Sequence, residues 1–573
     1  VKVDVAIIGG GPAGSTVASL LRKYNPALSV CILEREKFPR EHVGESQLPE
    51  VSVVLDEMGV WEKVEAANFP IKIGATYRWG TSDDLWDFEF LPADRFVDEP
   101  RPAKFEGQRT ETAFQVDRAV YDKILLDHAR DLGCQVREET RVVEIRREGD
   151  RVTGLCLESG ETVEASFYVD GSGHTGVLRR AMGVEVSSPT SLQNIAIWDY
   201  WQNAEWAVSI GVGGTRVQVM SLGYGWVWFI PLGPTRTSVG LVVPASYYKE
   251  SRLKPAELYA KAIADEPRIA DLLRNAKSEG NLQTTKDWSF LASRMAGENW
   301  FLAGESAGFA DPILAAGMTL AHTSGRECAY SILELFRGEL DPHWLRDRYD
   351  EMQTARIRQH IRFADFWYTT NGHFSELKEF CSQIAKDAGL ELDADRAFQW
   401  LGTGGFASDT VYGNAGVGTL SIESLKQVLQ RMSGTRARWR INGCNVFKLH
   451  LEGATEGTGA GLFDGRIYQE PCYWRDGNML PHAGLFGILV DALRQRSDLE
   501  GLVEELKAHF EKNPWLPVMR DNLRYTFHVL ETMVVNGWVK ASYNPLKPPL
   551  KFDTPDESDC IHVNRDNREP ANA

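Results

Sequence analysis

The sequence predicts an α/β fold: a doubly wound dinucleotide-binding sheet with an antiparallel sheet inserted into it, followed by a mostly helical C-terminal region. Three observations carry that expectation. The chain opens on an apolar run into a glycine turn, KVDVAIIGGGPAGSTVASLL. Strand-like runs succeed one another from about Gln193 to Val243, and beyond Asp311 the apolar spacing turns helical through Tyr349 and Phe363.

The first element, Val3 to Ile8, reads as a buried strand. Gly9, Gly11 and Gly14 follow it in the GxGxxG pattern, a helix of small residues comes next, and Glu34 closes a second strand, SVCILE. Each position has a physical task. Gly9 permits the tight turn, Gly11 lets a pyrophosphate approach the backbone, and Gly14 lets the helix pack against the sheet. Helix N-terminal amides then hold phosphate, and Glu34 accepts ribose hydroxyls. The motif alone leaves FAD and NAD open.

Further along, CQVREETRVVEIRREGDRVTGLCLESGETVEASFYVD reads as paired strands with turns at Glu148-Gly149-Asp150 and Ser159-Gly160. NIAIWDYW, RVQVMSLG, GWVWFIPL and TSVGLVV supply the inserted sheet, on which a substrate region is expected. These boundaries divide the chain into 1–190, 191–290, 291–370 and 371–573. In the last part, Ser497 and Glu500 suggest a capping box before a helix reaching Phe510. LGTGGFASDTVYGNAGVG and EGATEGTGAGLFDG lack a framing strand and helix and read as loops. The polar, Pro-rich tail from Lys547 is expected to wrap the surface or lie loose.

Composition excludes several classes. A net charge of -17 disfavours binding to a phosphate backbone, so no nucleic-acid partner is expected. No apolar run reaches the roughly 18 to 20 residues that cross a bilayer, and the apolar start leads into a glycine turn rather than a cleavage site. A cytoplasmic protein without membrane attachment is the expectation. The eight cysteines contain no CxxC pair, which argues for structural thiols and no metal.

YVDGSG (Tyr168 to Gly173) and WFLAGESAGFADP (Trp300 to Pro312) each run a strand into a small-residue turn. This pair resembles the p-hydroxybenzoate-hydroxylase-like flavoproteins, a monooxygenase-like fold, and the resemblance implies FAD. It places Asp170 near the dinucleotide and Glu305 and Asp311 at the ribityl chain and pyrophosphate, with Arg40 and Arg118 around the flavin. The family usually carries Gly-Asp where this chain has Gly304-Glu305. Asp287 would be the first carboxylate to test for covalent attachment of FAD.

Three further segments narrow the resemblance. Trp226, Trp228, Ile230 and Pro231 form WxWxIP, Lys72 lies in KIGATYRWG, and residues 39 to 49 read PREHVGESQLP. Together they are similar to the flavin-dependent halogenases over roughly residues 1 to 370. That resemblance implies that reduced FAD, oxygen and chloride yield hypochlorous acid, which Lys72 holds by hydrogen bonding or as a chloramine. The desolvation needed to lower a lysine's pKa would favour the neutral amine. On strand alternation Trp226 and Trp228 share a face, a dry wall that keeps water and substrate from the flavin. Backbone N–H groups of Gly317 and Met318, at a helix start, are the expected halide site.

Tryptophan halogenases carry Glu-Ser-Thr where this chain has Leu314-Ala315-Ala316, so free tryptophan is not the expected substrate. The resemblance points to a carrier-tethered acyl group in antibiotic biosynthesis of the chloramphenicol dichloroacetyl type. It implies a flavin reductase and an acyl or peptidyl carrier protein as partners. A phenol- or pyrrole-type halogenase and an FAD monooxygenase on the same fold are the alternatives.

Overall fold

The computed structural model describes residues 1–207, 209, 213–389, 416–417, 420–476, 478–512 and 522–564. The chain divides into a unit of Val1–Leu390 with Asp559–Ala573, and a second of Glu391–Ser558.

The first unit is built on two large sheets, and a small third one joins Val186–Ser187, Phe290–Ala292 and Gly308–Phe309. The strand Lys2–Ile8 runs parallel to Val30–Leu33 on one side and to Thr162–Asp170 on the other. Gln135–Arg137 and Trp300–Leu302 extend the parallel part, and Arg151–Leu157 with Val142–Glu148 add an antiparallel edge. Val5, Ala6 and Ile7 are wholly buried. That is the signature of a strand covered on both faces, and it explains why the segment lacks alternation. The helices Pro12–Tyr24, Arg118–Asp131 and Ala316–Arg337 share this core.

In the second sheet the hydrogen-bonded order is Lys277–Ser278, Gln193–Gln202, Arg236–Pro244, Gly225–Pro231, Gly214–Leu222, Ile71–Arg78, Trp86–Glu89 and Ile561–Val563. Two features differ from the expectation of an antiparallel insertion confined to 191–290. Ile71–Arg78, which carries Lys72, belongs to this sheet and lies parallel to Gly214–Leu222. Parallel neighbours need a long crossover, so local patterning could not reveal the pair. The chain's tail also contributes: Ile561 pairs with Phe88, and the Glu89 N–H donates to the Cys560 carbonyl at 2.7 Å.

The second unit holds the expected helices, Ile422–Ser433, Gly484–Gln495, Leu499–Lys512 and Asn522–Val535, together with three antiparallel sheets among the described residues. One pairs Gly416–Val417 with Leu420–Ser421, a second pairs Val446–Leu449 with Val539–Ser542, and the third joins Thr455–Phe463, Arg466–Arg475 and Asn478–Pro481. The glycine-rich segment expected to be a loop is therefore a strand. Its glycines clear space for cross-strand side chains: a Cβ on Gly457 would lie 2.6 Å from the Trp474 indole and one on Gly461 2.6 Å from the Glu470 carboxylate. The other glycine-rich segment lies largely outside the described residues. Asp498, not Ser497, caps the helix at 499, its carboxylate accepting from the Gly501 N–H at 3.2 Å. All eight cysteines are free thiols, and among the described residues no helix is long and apolar enough to cross a membrane.

Candidate active site

The glycine turn has the shape a dinucleotide requires. Gly9 sits at φ +99°, and a Cβ there would lie 2.4 Å from the Gly171 carbonyl oxygen. A Cβ on Gly14 would come within 2.0 Å of the Gly9 carbonyl, so the helix Pro12–Tyr24 packs this close because Gly14 has no side chain. No side chain caps that helix and its first turn holds no acid. The Glu34 carboxylate accepts from the Gly10 N–H at 2.7 Å and the Glu36 N–H at 2.9 Å. Each oxygen keeps a further lone pair for a ribose hydroxyl.

Arg40 and Arg118 converge beside this turn. A Cβ on Gly11 would meet the Arg40 guanidinium at 3.4 Å, and one on Gly44 would meet that of Arg118 at 3.4 Å. Both cations pair with the buried Asp122: Arg118 binds it through Nε and Nη2 at 2.7 and 2.9 Å, and Arg40 through Nη1 at 3.1 Å. Arg118 and Arg40 hold the Asp122 carboxyl below the usual carboxylate range despite burial. Asp122 was not singled out from the sequence, although its spacing of four from Arg118 on one helix face was a usable signal. A rigid pair of guanidiniums next to an uncapped helix start fits the two negative charges of a pyrophosphate.

Lys72 is 2% exposed. Its Nζ donates to the Gln47 carbonyl at 2.8 Å and lies 5.3 Å from the centre of the Phe90 ring. Burial lowers its pKa to about 7, with Glu50 acting in the opposite sense. The strand's register decides where this amine faces. Arg78, Tyr77 and Thr76 pair one by one with Met220, Val219 and Gln218, but between Thr215 and Arg216 the register slips, so that Lys72 pairs with Thr215 and Gly74 with Arg216. Thr215 lies on the same face of its strand as Val219 and Ser221, the partners of Trp228 and Trp226. Strict alternation would have put Lys72 with Thr76 and Arg78 on the opposite face. The bulge re-aims it to the tryptophan side, a role such irregularities play next to reactive sites.

Gly225–Pro231 is buried throughout. Val227 and Phe229 pack with Ile197, Met220 and Val239 on one face, which leaves Trp226 and Trp228 together on the other, their ring centroids 6.0 Å apart at 54°. Trp226 also meets Trp79 edge-on at 6.4 Å. Gly240, opposite Trp228, makes room for the indole, since a Cβ there would lie 2.1 Å from it.

Known proteins are similar to this chain in sequence and fold. The model of the FAD binding domain family covers residues 2–364. A 1H-pyrrole-2-carbonyl-(peptidyl-carrier protein) chlorinase of Pseudomonas fluorescens is 32% identical over 382 residues, spanning 64% of this chain and 84% of that protein. The chain belongs to the flavin-dependent halogenases. A tryptophan 2-halogenase of Chondromyces crocatus is 33% identical over 349 residues, 59% of this chain and 63% of that protein, so the chain spans less than two thirds of that relative. The solved structure of the flavin-dependent halogenase CmlS is 25% identical, with a TM-score of 0.72 over 96% of this chain and 98% of that one. The halogenase is thus an FAD enzyme, and the turn, Glu34 and the arginine pair are the residues that fit the cofactor.

Other expected positions of the halogenase carry contacts within the chain. Asp170 pairs with Ile8, directly before the glycine turn, and its carboxylate accepts from the N–H and hydroxyl of Ser172 at 3.1 and 2.6 Å and from the N–H groups of Leu178 and Arg179 at 2.8 and 3.0 Å. It shapes the loop after its strand. Asp311 likewise turns inward, accepting from the Ile313 N–H at 2.9 Å, the Asn194 amide at 2.9 Å and the Tyr368 hydroxyl at 3.2 Å. Asp287 lies on the strand Gln283–Trp288, and its side chain falls outside the described residues.

Gly317 and Met318 stand in the first turn of the 22-residue helix Ala316–Arg337, which no side chain caps. The Gln47 side-chain amide lies 3.8 Å from the Met318 sulfur, so one residue touches both this helix start and, through its carbonyl, Lys72. Glu305 stands close to this helix start: its Oε1 is 3.8 Å from where a Gly317 Cβ would stand. Burial raises its pKa, against the pull of His174 and Arg118, which favours the neutral acid beside an anion.

Proposed function

We propose that this halogenase oxidises chloride to hypochlorous acid and passes the chlorine through Lys72 to a carrier-tethered acyl group. The observation that carries the reading is the buried amine of Lys72, facing the tryptophan side with its pKa lowered to about 7. Bound FAD, in its reduced form, supplies the electrons with which oxygen oxidises the halide. The chain's own residues do the rest. Gly9, Gly11, Gly14, Glu34, Arg40 and Arg118 hold the cofactor, with Asp122 fixing both cations. N–H groups of Gly317 and Met318 receive halide at the helix start, and Trp226 and Trp228 exclude water from the passage between.

Near neutral pH, Lys72 is present in both protonation states. As the ammonium it donates a hydrogen bond to the oxygen of hypochlorous acid. As the neutral amine its lone pair takes chlorine: an N–Cl bond forms, the Cl–O bond breaks, and hydroxide leaves with the amine's proton as water. A nucleophilic carbon then takes chlorine from nitrogen, the N–Cl electron pair returns to nitrogen, and the proton lost by the substrate, from the enol oxygen or from a pyrrole carbon, restores the amine.

An activated acyl thioester in its enol form supplies such a carbon, which is the reading for antibiotic assembly of the dichloroacetyl type. Reduced FAD would come from a flavin reductase and substrate on an acyl or peptidyl carrier. The second reading is a pyrrole-type thioester, favoured by the likeness to the pyrrolyl-carrier chlorinase. The test supplies reduced FAD, oxygen and chloride with free and carrier-bound acyl and pyrrolyl substrates and looks for chlorine isotope patterns by mass spectrometry. Lys72→Ala should keep FAD and give no chlorinated product. Chlorination at the parental rate by that variant would sink the proposal.

A further inference from the structure

Each tryptophan of the wall ends on its own buried acid. The Trp226 indole N–H donates to the Tyr368 hydroxyl oxygen at 2.8 Å, and that hydroxyl donates to Asp311 at 3.2 Å. Asn194 completes the group, its amide 3.2 Å from the Tyr368 oxygen and 2.9 Å from Asp311. On the other tryptophan the pattern repeats with different residues. The Trp228 indole N–H donates to the Ser238 hydroxyl at 3.1 Å, which in turn lies 3.4 Å from Glu45, and the Tyr200 hydroxyl donates to the second Glu45 oxygen at 3.0 Å. Asn194 and Ser238 are wholly buried, and Glu45, Asp311 and Tyr368 are each 1% exposed.

A hydroxyl has one proton. Where a carboxyl group accepts it, the oxygen's lone pairs are left facing the indole N–H, so the acid sets the hydroxyl and the hydroxyl sets the ring. Four strands or helices supply these groups: Asn194 from Gln193–Gln202, Ser238 from Arg236–Pro244, Tyr368 from Pro342–Thr369, and the tryptophans from Gly225–Pro231. No packing requirement of an apolar wall calls for two buried acids, because a tryptophan pair can be buried against aliphatic neighbours with less desolvation cost.

We infer that Tyr368, backed by Asp311, and Ser238, backed by Glu45, are positioning residues that lock the two indoles in place and thereby set the share of oxidant that reaches substrate. The inference rests on the wall's role given under Proposed function. Freed from its hydroxyl, an indole can tilt about its χ angles, and the gap it opens admits water to the flavin side and releases hypochlorous acid.

The test uses the full-length holoenzyme with reduced FAD, oxygen, chloride and 2-chlorodimedone as an outside trap for released hypochlorous acid, and hydrogen peroxide is measured alongside. Tyr368→Phe and Ser238→Ala should each raise the share of reduced FAD lost to peroxide and trap by roughly fivefold, the equivalent of one lost hydrogen bond, and Ser238→Thr should restore the parental share. A second readout needs no turnover. In protein carrying 5-fluorotryptophan, with resonances assigned through Trp226→Phe and Trp228→Phe, Tyr368→Phe should move or broaden the Trp226 signal and spare that of Trp228, while Ser238→Ala does the reverse. Parental partition with unmoved resonances overturns the inference, as does a change explained wholly by lost FAD or a lower melting temperature. A parent enzyme that chlorinates nothing, the trap included, overturns the proposed function instead, and the peroxide share and fluorine signals still decide this inference.

Discussion

Lys72 shows how a single residue trades stability for reactivity. Its pKa falls from the ordinary 10.5 to about 7 because burial disfavours the ammonium. Below pH 7 the folded protein bears the full penalty of the buried charge, and between about 7 and 10.5 the unfolded chain binds the extra proton, so stability rises with pH across that window. Lys72→Met should therefore raise the melting temperature most below pH 7, by the equivalent of at most about 5 kcal/mol, with the gain fading towards pH 10.5. Calorimetry at several pH values checks this, and a gain independent of pH would contradict it. Gly14 makes the opposite kind of commitment. With 2.0 Å between a new Cβ and the Gly9 carbonyl, Gly14→Ala should purify without flavin absorbance while remaining folded by circular dichroism. The glycine pattern and Lys72 were legible in sequence because each depends on residue type and near neighbours. The partners of Asp170 and Asp311 were not: their carboxylates accept from a loop's own N–H groups and from a distant Tyr368, and no local pattern reveals such contacts.

At the scale of the element, the strand Gly225–Pro231 followed from alternation, but the space that accommodates it did not. Trp228 lies where Gly240 on the neighbouring strand has no side chain. Gly240→Ala should push the indole aside, lower stability by about 1–3 kcal/mol as overpacking does, and raise peroxide release. A chemical denaturation curve and a peroxide assay together check both parts. The helix Arg118–Asp131 carries a different dependence. Asp122 pairs with both Arg118 and Arg40, so Asp122→Ala leaves two cations without their shared partner and should cost about 3–5 kcal/mol, along with most of the bound FAD. Retention of parental stability and flavin content by that variant would remove Asp122 from the cofactor site.

Over the whole molecule, buried acids give stability a definite pH dependence. Burial pushes Glu45, Asp311 and Asp365 each up to about 7. Their contribution is fully present below the ordinary carboxylate range and is lost as pH rises through about 7, because the folded state then holds protons the unfolded chain has released. The melting temperature should accordingly fall between about pH 5 and pH 7, and Glu45→Gln should flatten part of that slope. The sequence by itself determined the glycine turn, the sheet's buried strands, the shared face of Trp226 and Trp228 and the lysine's identity, because those depend on residues close along the chain and on periods of two or 3.6. Tertiary structure alone decided that Ile71–Arg78 lies beside Gly214–Leu222, that a slip at Thr215 turns Lys72 to the tryptophan side, and that Glu45 and Asp311 end up beneath the two indoles. The parallel pairing and the Glu45–Ser238 contact join residues more than a hundred positions apart, and Asp311 and Tyr368 are 57 apart; the energy that selects these contacts exists only once the two sheets and the helix Pro342–Thr369 have packed.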